Sequence, residues 1–411
     1  MKKIKILVVP SDNVGGIGEF RSVKPHLYLE NKYPDEFSID IIPNPDFYDD
    51  NFLKQYDIVQ YHKYLGNFES TKINVDKLTA MGIVTIMDID DYWLTDKNHP
   101  AHSSMVKHGI SGKILSNLKQ AKHITTTTDI FAKEISKINK NVTVIENGID
   151  PNELQFIPNP TKSDRLRIGW LGGSTHKYDL DLLKDSFSKL NGLKLLDKVQ
   201  LVLCGFNLKG IVSETNINTG QTREREILPT ETSWYEYEKI FTNNYTTISP
   251  EYKAHLLKFN KEEFIGVENE PYRRVWTKSI KTYCNNYNFI DVALAPLDQT
   301  LFNSCKSQLK CIEAGFHKKA LIAQNFGPYQ IDLTNSFSKG GNYSDTANSI
   351  LVNTINNKSD WVKHIKKLVE NPDLIKSLGD NLYSDISKKY SLEVLSEKRK
   401  KLYIELVNGK K

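Results

Sequence analysis

Short apolar runs recur along the first part of the chain, at 4–9, 37–42, 57–61, 83–87, 123–127 and 142–145. A second set lies at 166–171, 199–204, 289–295 and 320–323. Brief apolar runs bounded by turn signals read as strands buried on both faces, and their alternation with helical or loop-rich stretches predicts parallel α/β layers. Between the two sets lie the turn Asn147–Gly148–Ile149–Asp150–Pro151 and the Pro-rich polar stretch 156–163, the best linker in the chain. The fold class is therefore α/β, in two halves. From 207 to 288 the pattern is broken by an aromatic, charged insertion containing Trp234, Tyr235, Tyr237, Phe241, Tyr245, Tyr252, Tyr272, Trp276, Tyr283 and Tyr287, read as helices and loops. Three helices are predicted at the end, over 360–370, 372–389 and 392–407.

Length and composition narrow this picture only a little. A chain of 411 residues holds about two or three domains, each with its own core. A net charge of +5, from 55 basic and 50 acidic side chains without long like-charged blocks, tolerates an anionic substrate but does not mark a nucleic-acid binder. The four cysteines (Cys204, Cys284, Cys305, Cys311) show no paired spacing, so neither disulfides nor zinc are expected. The apolar run after the basic start is too short for a signal peptide, and no run is long enough to span a membrane. The expected location is cytoplasmic.

The richest chemistry follows the run 291–297, which ends at Pro296 and reads as a buried strand. A helix is predicted to begin between Asn303 and Ser307, with Leu309, Ile312 and Phe316 on one stripe and Lys306, Lys310 and Glu313 on another. Free N–H groups and the dipole at its start favour a diphosphate, and a carboxylate two turns on would take ribose hydroxyls; together they describe a nucleotide-sugar site. After the first strand, Gly15 and Gly16 allow close approach of backbone to a phosphate or sugar. After the strand at 166–171, Gly172 and Gly173 do the same, Ser174 or Thr175 would cap the next helix, and Lys177, with His176 second, would reach an anion. Asp88, Asp90 and Asp91 follow a buried strand, where charge is costly unless it has partners or a task. Asp88 and Asp90 also fit a metal-binding D-x-D reading, or simple helix capping. His62 ends a neighbouring strand, His99 follows the acidic turn, and Gly327 and Pro328 follow the strand at 320–323.

The run from Asn303 to Ala314 resembles the donor-binding helix of GT-B glycosyltransferases, particularly the large retaining family four (glycosyl transferases group 1), and the likeness extends more weakly over most of the chain. That resemblance implies two Rossmann-like domains facing a central cleft: 1–160 for the acceptor and 165–390 for the nucleotide sugar. It also implies that 391–411 forms a helix returning to the first domain. Family members often carry a second Glu eight residues before the ribose ligand, where this chain has Cys305. The resemblance implies catalytic roles for Lys177, Lys306, Asp90 and Asp91 in transfer from a UDP- or GDP-linked sugar to a hydroxyl acceptor. The acceptor would be a glycan or other saccharide, with anomeric retention and without a metal or other cofactor. Gly15, Gly16, Gly172, Gly173, Ser174, His176, Asn303, Ser307 and Glu313 would bind the donor, and His62 and Asp88 would lie on the acceptor side. Asn147–Gly148 matches a domain-junction turn and reads as a hinge. A sugar epimerase, an enzyme glycosylating nucleic-acid bases and a non-catalytic binding module share these motifs and stand as alternatives.

Overall fold

The structure is a computed structural model that describes residues 3–12, 15–215, 222–243, 246, 249–353 and 359–409; Tyr245 lies outside the described residues. The first domain carries strands β1 (Ile4–Val9), β2 (Phe37–Ile41), β3 (Ile58–His62), β4 (Val84–Asp88), β5 (His123–Thr126) and β6 (Val142–Val144). They form one six-stranded sheet in the order β2-β1-β3-β4-β5-β6, parallel throughout. The second domain carries β7 (Leu166–Leu171), β8 (Val199–Phe206), a hairpin of β9 (Ile211–Thr215) with β10 (Thr222–Glu226), and then β11 (Tyr272–Trp276), β12 (Val292–Ala295), β13 (Ala320–Gln324) and β14 (Ile350–Val352). Its parallel sheet runs β11-β8-β7-β12-β13-β14. All eight residues of β8 and all five of β13 are buried, as expected of strands covered on both faces.

Strand order reverses between β1 and β3 in the first sheet and between β7 and β12 in the second. Crevices at the carboxyl ends of strands, beside such reversals, are where open α/β sheets bind ligands.

The 207–288 insertion corrects an expectation of helices and loops. It contains the helices Ser233–Phe241 and Pro250–Lys258, but also the β9–β10 hairpin and the sheet strand β11. Two arginines disguise β11. Arg274 is buried there because Glu238 accepts from its Nε at 2.8 Å and its Nη2 at 2.6 Å, while the Tyr272 hydroxyl donates to the same carboxylate at 2.8 Å. Pairing of this kind offsets the desolvation cost of burying a charge, so a run containing arginines can still be a core strand.

The last three helices span Ser359–Glu370, Pro372–Tyr390 and Leu392–Asn408. The second of them packs Leu382 and Ile386 into the second domain's apolar cluster with Cys311, Ile312 and Phe316. The third packs Leu402 and Tyr403 against Ile6, Val8 and Phe37 of the first domain. Ser391, between them, caps the last helix through the Val394 N–H, and the Leu392 N–H donates to the Ile149 carbonyl at 2.8 Å. The Tyr403 hydroxyl lies 2.7 Å from His26 Nε2, so a polar anchor accompanies this apolar return. No helix among the described residues is long and apolar enough to cross a membrane.

Candidate active-site cleft

Both sheets turn their carboxyl ends towards one cavity of about 770 Å³ between the domains. The first domain contributes Gly15 and Gly16 beyond β1, Arg21, Asp90 and Asp91 beyond β4, His99 and Asn147. The second contributes Gly172, Gly173, Thr175 and His176 beyond β7, and Thr277 and Lys278 beyond β11. Lys306, Ser307, Lys310 and Glu313 come from the segment after β12.

The predicted donor helix starts later than expected. A short helix, Leu301–Ser304, is followed by a break, and the main helix spans Leu309–Phe316 with Gln308 at its N-cap. Lys306 therefore lies in a loop, yet it shares the cavity with Lys310 and Glu313. Its ammonium lies 5.4 Å from the centre of the Phe302 ring and has no ion-pair partner among the described residues. Lys310 donates to the Leu171 carbonyl at 2.5 Å and lies 4.9 Å from the Trp170 ring centre; burial lowers its pKa. Gly172 is required beside it, since a Cβ there would collide with the buried Trp170 ring as well as crowd the Lys310 Nζ. Two cations without a carboxylate contact, beside the unpaired N–H groups of a helix start, form a receptive anion site.

His176 faces the same cavity, with its Nδ1 2.7 Å from Asp179 Oδ2 and its backbone N–H donating to the Tyr237 hydroxyl at 2.8 Å. Burial, with Lys306 nearby, lowers its pKa to about 4. At neutral pH the ring is thus uncharged, donates Nδ1–H to Asp179 and keeps an Nε2 lone pair. Neither Ser174 nor Thr175 caps the following helix, whose N-cap is His176 without a side-chain bond. Ser174 is exposed and off the cavity wall. Lys177 is likewise exposed and lines a separate hollow with Asp181 and Lys184, so the structure does not bring it to the other cations. Asn303 is also absent from the wall: it donates to Asp179 Oδ1 at 2.9 Å and to the Asp298 carbonyl at 3.0 Å, tying two loops together.

Glu313 is a buried carboxylate on this wall. It is 4 % exposed, and its carboxylate accepts from the hydroxyls of Tyr283 and, at 3.2 Å, Tyr287. Burial raises its pKa, against the pull of Lys310 and the two tyrosines. Cys305, at the position where family members carry a second Glu, is fully buried and joins the first domain's apolar cluster. Burial pushes its thiol up to about 11, which suits packing rather than chemistry.

The three carboxylates opposite have separate fates. Asp88 is fully buried, correcting its placement on the acceptor side. Arg21 donates to it through Nε at 3.0 Å and Nη2 at 2.7 Å, and the Thr125 hydroxyl adds a bond at 2.7 Å. Burial alone would raise this carboxyl, but Arg21 holds it below the ordinary range. Asp90 pairs with Lys63 at 2.9 Å and with His62 Nε2 at 3.0 Å, and the Ser11 hydroxyl meets His62 Nδ1 at 2.7 Å. His62 is 1 % exposed and off the cavity wall, so it serves Asp90 rather than a ligand. Against the cost of burial, Lys63 and His62 pull Asp90 well below its usual pKa. Asp91 also lines the cavity but has no hydrogen-bond partner among the described residues, and burial together with the Asp90 charge raises its pKa. A fixed anion beside a partly buried, more basic carboxylate is a pair tuned for different tasks.

Sequence reasoning missed several cavity residues. Arg21 and Asn147 form a chain across the domains: Arg21 donates to Asn147 Oδ1 at 3.0 Å, and Asn147 donates to the Ser307 hydroxyl at 3.0 Å. Asn147, read as a hinge, is a domain-bridging residue of the cleft. Tyr329, rather than Gly327 or Pro328, reaches the wall beyond β13. Among the described residues, no group of three or more His, Cys, Asp or Glu side chains is arranged to hold a metal ion.

Two parallel α/β domains, meeting at their strand carboxyl ends and bound by a returning C-terminal helix, define the GT-B fold. The particular likenesses are to solved structures of that fold. HepE of Anabaena, in complex with UDP and glucose, matches with a TM-score of 0.59 at 10% identity, over 98% of this chain and 99% of that one. Sucrose-phosphate synthase from Thermosynechococcus elongatus matches with a TM-score of 0.60 at 11% identity over 100% of both chains. The catalytic domain of starch synthase IV from Arabidopsis thaliana, bound to ADP and acarbose, matches with a TM-score of 0.58 at 10% identity over 99% of both. No protein-family model matches the chain, and no curated protein matches it.

Proposed function

We propose that the protein is a glycosyltransferase that moves a sugar from a nucleoside diphosphate sugar to a hydroxyl acceptor, most simply on a saccharide. The observation that carries this reading is the pairing, in one cavity, of an uncompensated cation site (Lys306, Lys310) and a ribose-type carboxylate (Glu313) with Asp90 and Asp91 on the facing wall. The second domain would hold the nucleotide, with Glu313 on the ribose and Lys306 and Lys310 on the diphosphate. Departure of the diphosphate builds charge that these cations would stabilise. Asp90 and Asp91 would contact sugar or acceptor hydroxyls, Asp91 as a proton acceptor. The fold-mates solved with UDP and glucose, and with ADP and acarbose, support the same ligand class. The likeness to family four favours retention, which NMR of the first-formed product reads.

The direct experiment is a thermal-shift panel of nucleoside diphosphates and their sugars, followed by detection of released nucleotide with saccharide acceptors. A ligand binding only the folded protein raises the melting temperature with its concentration over Kd. Absence of a shift with every nucleotide at millimolar concentration removes the reading.

A second expectation follows from the occupied carboxylates. Asp88 is engaged by Arg21 and Thr125, and Asp90 by Lys63 and His62, which speaks against the D-x-D reading. Transfer is therefore expected to survive EDTA with less than about a twofold change in rate, whereas a metal bridging the diphosphate would make loss nearly complete. Loss with EDTA and recovery with Mn²⁺ would return the metal to the mechanism.

A further inference from the structure

The two tyrosines on Glu313 are not equivalent. Both come from the short 3₁₀ helix Tyr283–Phe289. Tyr287 is buried and stacks on His317, with ring centres 4.9 Å apart and planes 24° apart. His317 is itself fixed, its Nδ1 2.9 Å from the Glu313 carbonyl and its Nε2 2.9 Å from the Gln155 carbonyl. Tyr287 is thus a rigid donor to Glu313 Oε2. Tyr283 is half-buried on the cavity wall, follows the exposed residues 277–279 and 281–282, and donates to Oε1. The carboxylate that faces the nucleotide cavity has one oxygen held by the core and the other held by a side chain of the cavity itself.

We propose that Tyr283 is a placeholder for a ribose hydroxyl: it satisfies Glu313 Oε1 while the cleft is empty and gives that oxygen up when a nucleotide enters. The inference rests on the nucleotide reading of Glu313 above. Tyr287 is then a positioning residue, which keeps Oε2 engaged and fixes the plane of the carboxylate. Leaving a buried carboxylate oxygen bare is costly, and the placeholder removes that cost in the empty protein. The price is affinity, because the nucleotide gains no net hydrogen bond at Oε1 but only exchanges a phenol for a ribose hydroxyl.

The signs of two substitutions test this. Calorimetry would be run on the full chain with UDP, GDP and ADP. The tightest of these would then be compared with its 2′-deoxy and 3′-deoxy forms. Tyr283→Phe keeps the ring and removes the competing hydroxyl, so it is expected to bind the ribonucleotide roughly three- to tenfold more tightly than wild type. Tyr287→Phe frees the carboxylate to rotate, and is expected to weaken binding while cutting the preference for ribose over the worse deoxy form by at least about threefold. Tyr283→Leu provides a second measurement of the same sign if Tyr283→Phe does not fold. Weaker or unchanged ribonucleotide binding in both Tyr283 variants would overturn the proposal, since it would mean that the phenol contacts the nucleotide or stays on Glu313 throughout. Failure of wild type to bind any of the three nucleotides would instead remove the underlying nucleotide assignment.

Discussion

Lys306→Ala is expected to lower kcat by roughly 10²–10³-fold, the usual cost of losing one preorganised group from the place where transition-state charge develops. Lys306 differs from Lys63 and Lys310 in having neither a hydrogen bond nor an ion pair at its ammonium among the described residues. Lys63 is paired with Asp90 and Lys310 is engaged with the Leu171 carbonyl, whereas Lys306 faces the cavity with only the Phe302 ring beneath it. Its charge is free to meet a leaving diphosphate, and that charge is greatest as the sugar–phosphate bond breaks. Loss should therefore fall on kcat more than on nucleotide affinity, which Glu313 and Lys310 would still support. Folding stability should change little, because among the described residues the Lys306 ammonium makes no hydrogen bond or ion pair. Single-turnover rates, nucleotide Kd and urea unfolding of the same variant separate these effects. Lys306→Arg keeps the charge and is expected to recover part of the rate. An unchanged kcat in Lys306→Ala would move the diphosphate away from this wall. Lys177→Ala is the natural control, because its exposed side chain lies over another hollow.

That contrast shows what the sequence could and could not reveal. Most strands of the two sheets were legible because parallel strands covered on both faces leave largely apolar runs, as in β12 and β13. β11 was not, because Arg273 and Arg274 break its run, and the Glu238 carboxylate that neutralises Arg274 lies 36 residues away. The C-terminal helices were legible from periodicity and from Pro372 at a helix start. At the cleft, nearness to a strand end was a good guide to region and a poor one to side-chain direction. Gly172, Gly173 and His176 reach the cavity, while Ser174 and Lys177 in the same loop turn to solvent. Lys306, Lys310 and Glu313 were legible as one charged stripe, but the depth of the helix was not: Cys311–Phe316 is buried at every position, because the helix lies between its sheet and the helix Pro372–Tyr390. Which of Asp88, Asp90 and Asp91 is available for chemistry depends on Arg21, 67 residues from Asp88, and on His62, 28 residues from Asp90. Contacts of that separation leave no mark in local pattern.

Arg21→Met is expected to cost about 3–5 kcal/mol of folding stability at neutral pH, the range for removing one partner of a buried ion pair. Arg21 is 1 % exposed and gives Asp88 two hydrogen bonds, the Ile145 carbonyl one at 2.7 Å and Asn147 another. Without it Asp88 keeps only the Thr125 hydroxyl and becomes a buried, uncompensated carboxylate. The pH dependence then reverses sign. In the wild type, Asp88 is held below its unfolded value of about 4, so its contribution is present above that pH and is lost as pH falls through the folded value. In the variant, burial acts unopposed and raises the Asp88 carboxyl above the unfolded value. Its contribution is then present below about pH 4 and lost as pH rises towards the new folded value. Urea unfolding at pH 5 and pH 7.5 should therefore show a smaller loss at the lower pH. Adding Asp88→Asn removes the stranded charge and should restore a large part of the deficit, a coupling that a double-mutant cycle measures. Equal losses at both pH values, with no rescue by Asp88→Asn, would show that Arg21 acts through the Ile145 and Asn147 bonds alone and that the Asp88 ion pair does not hold the first domain's half of the cleft.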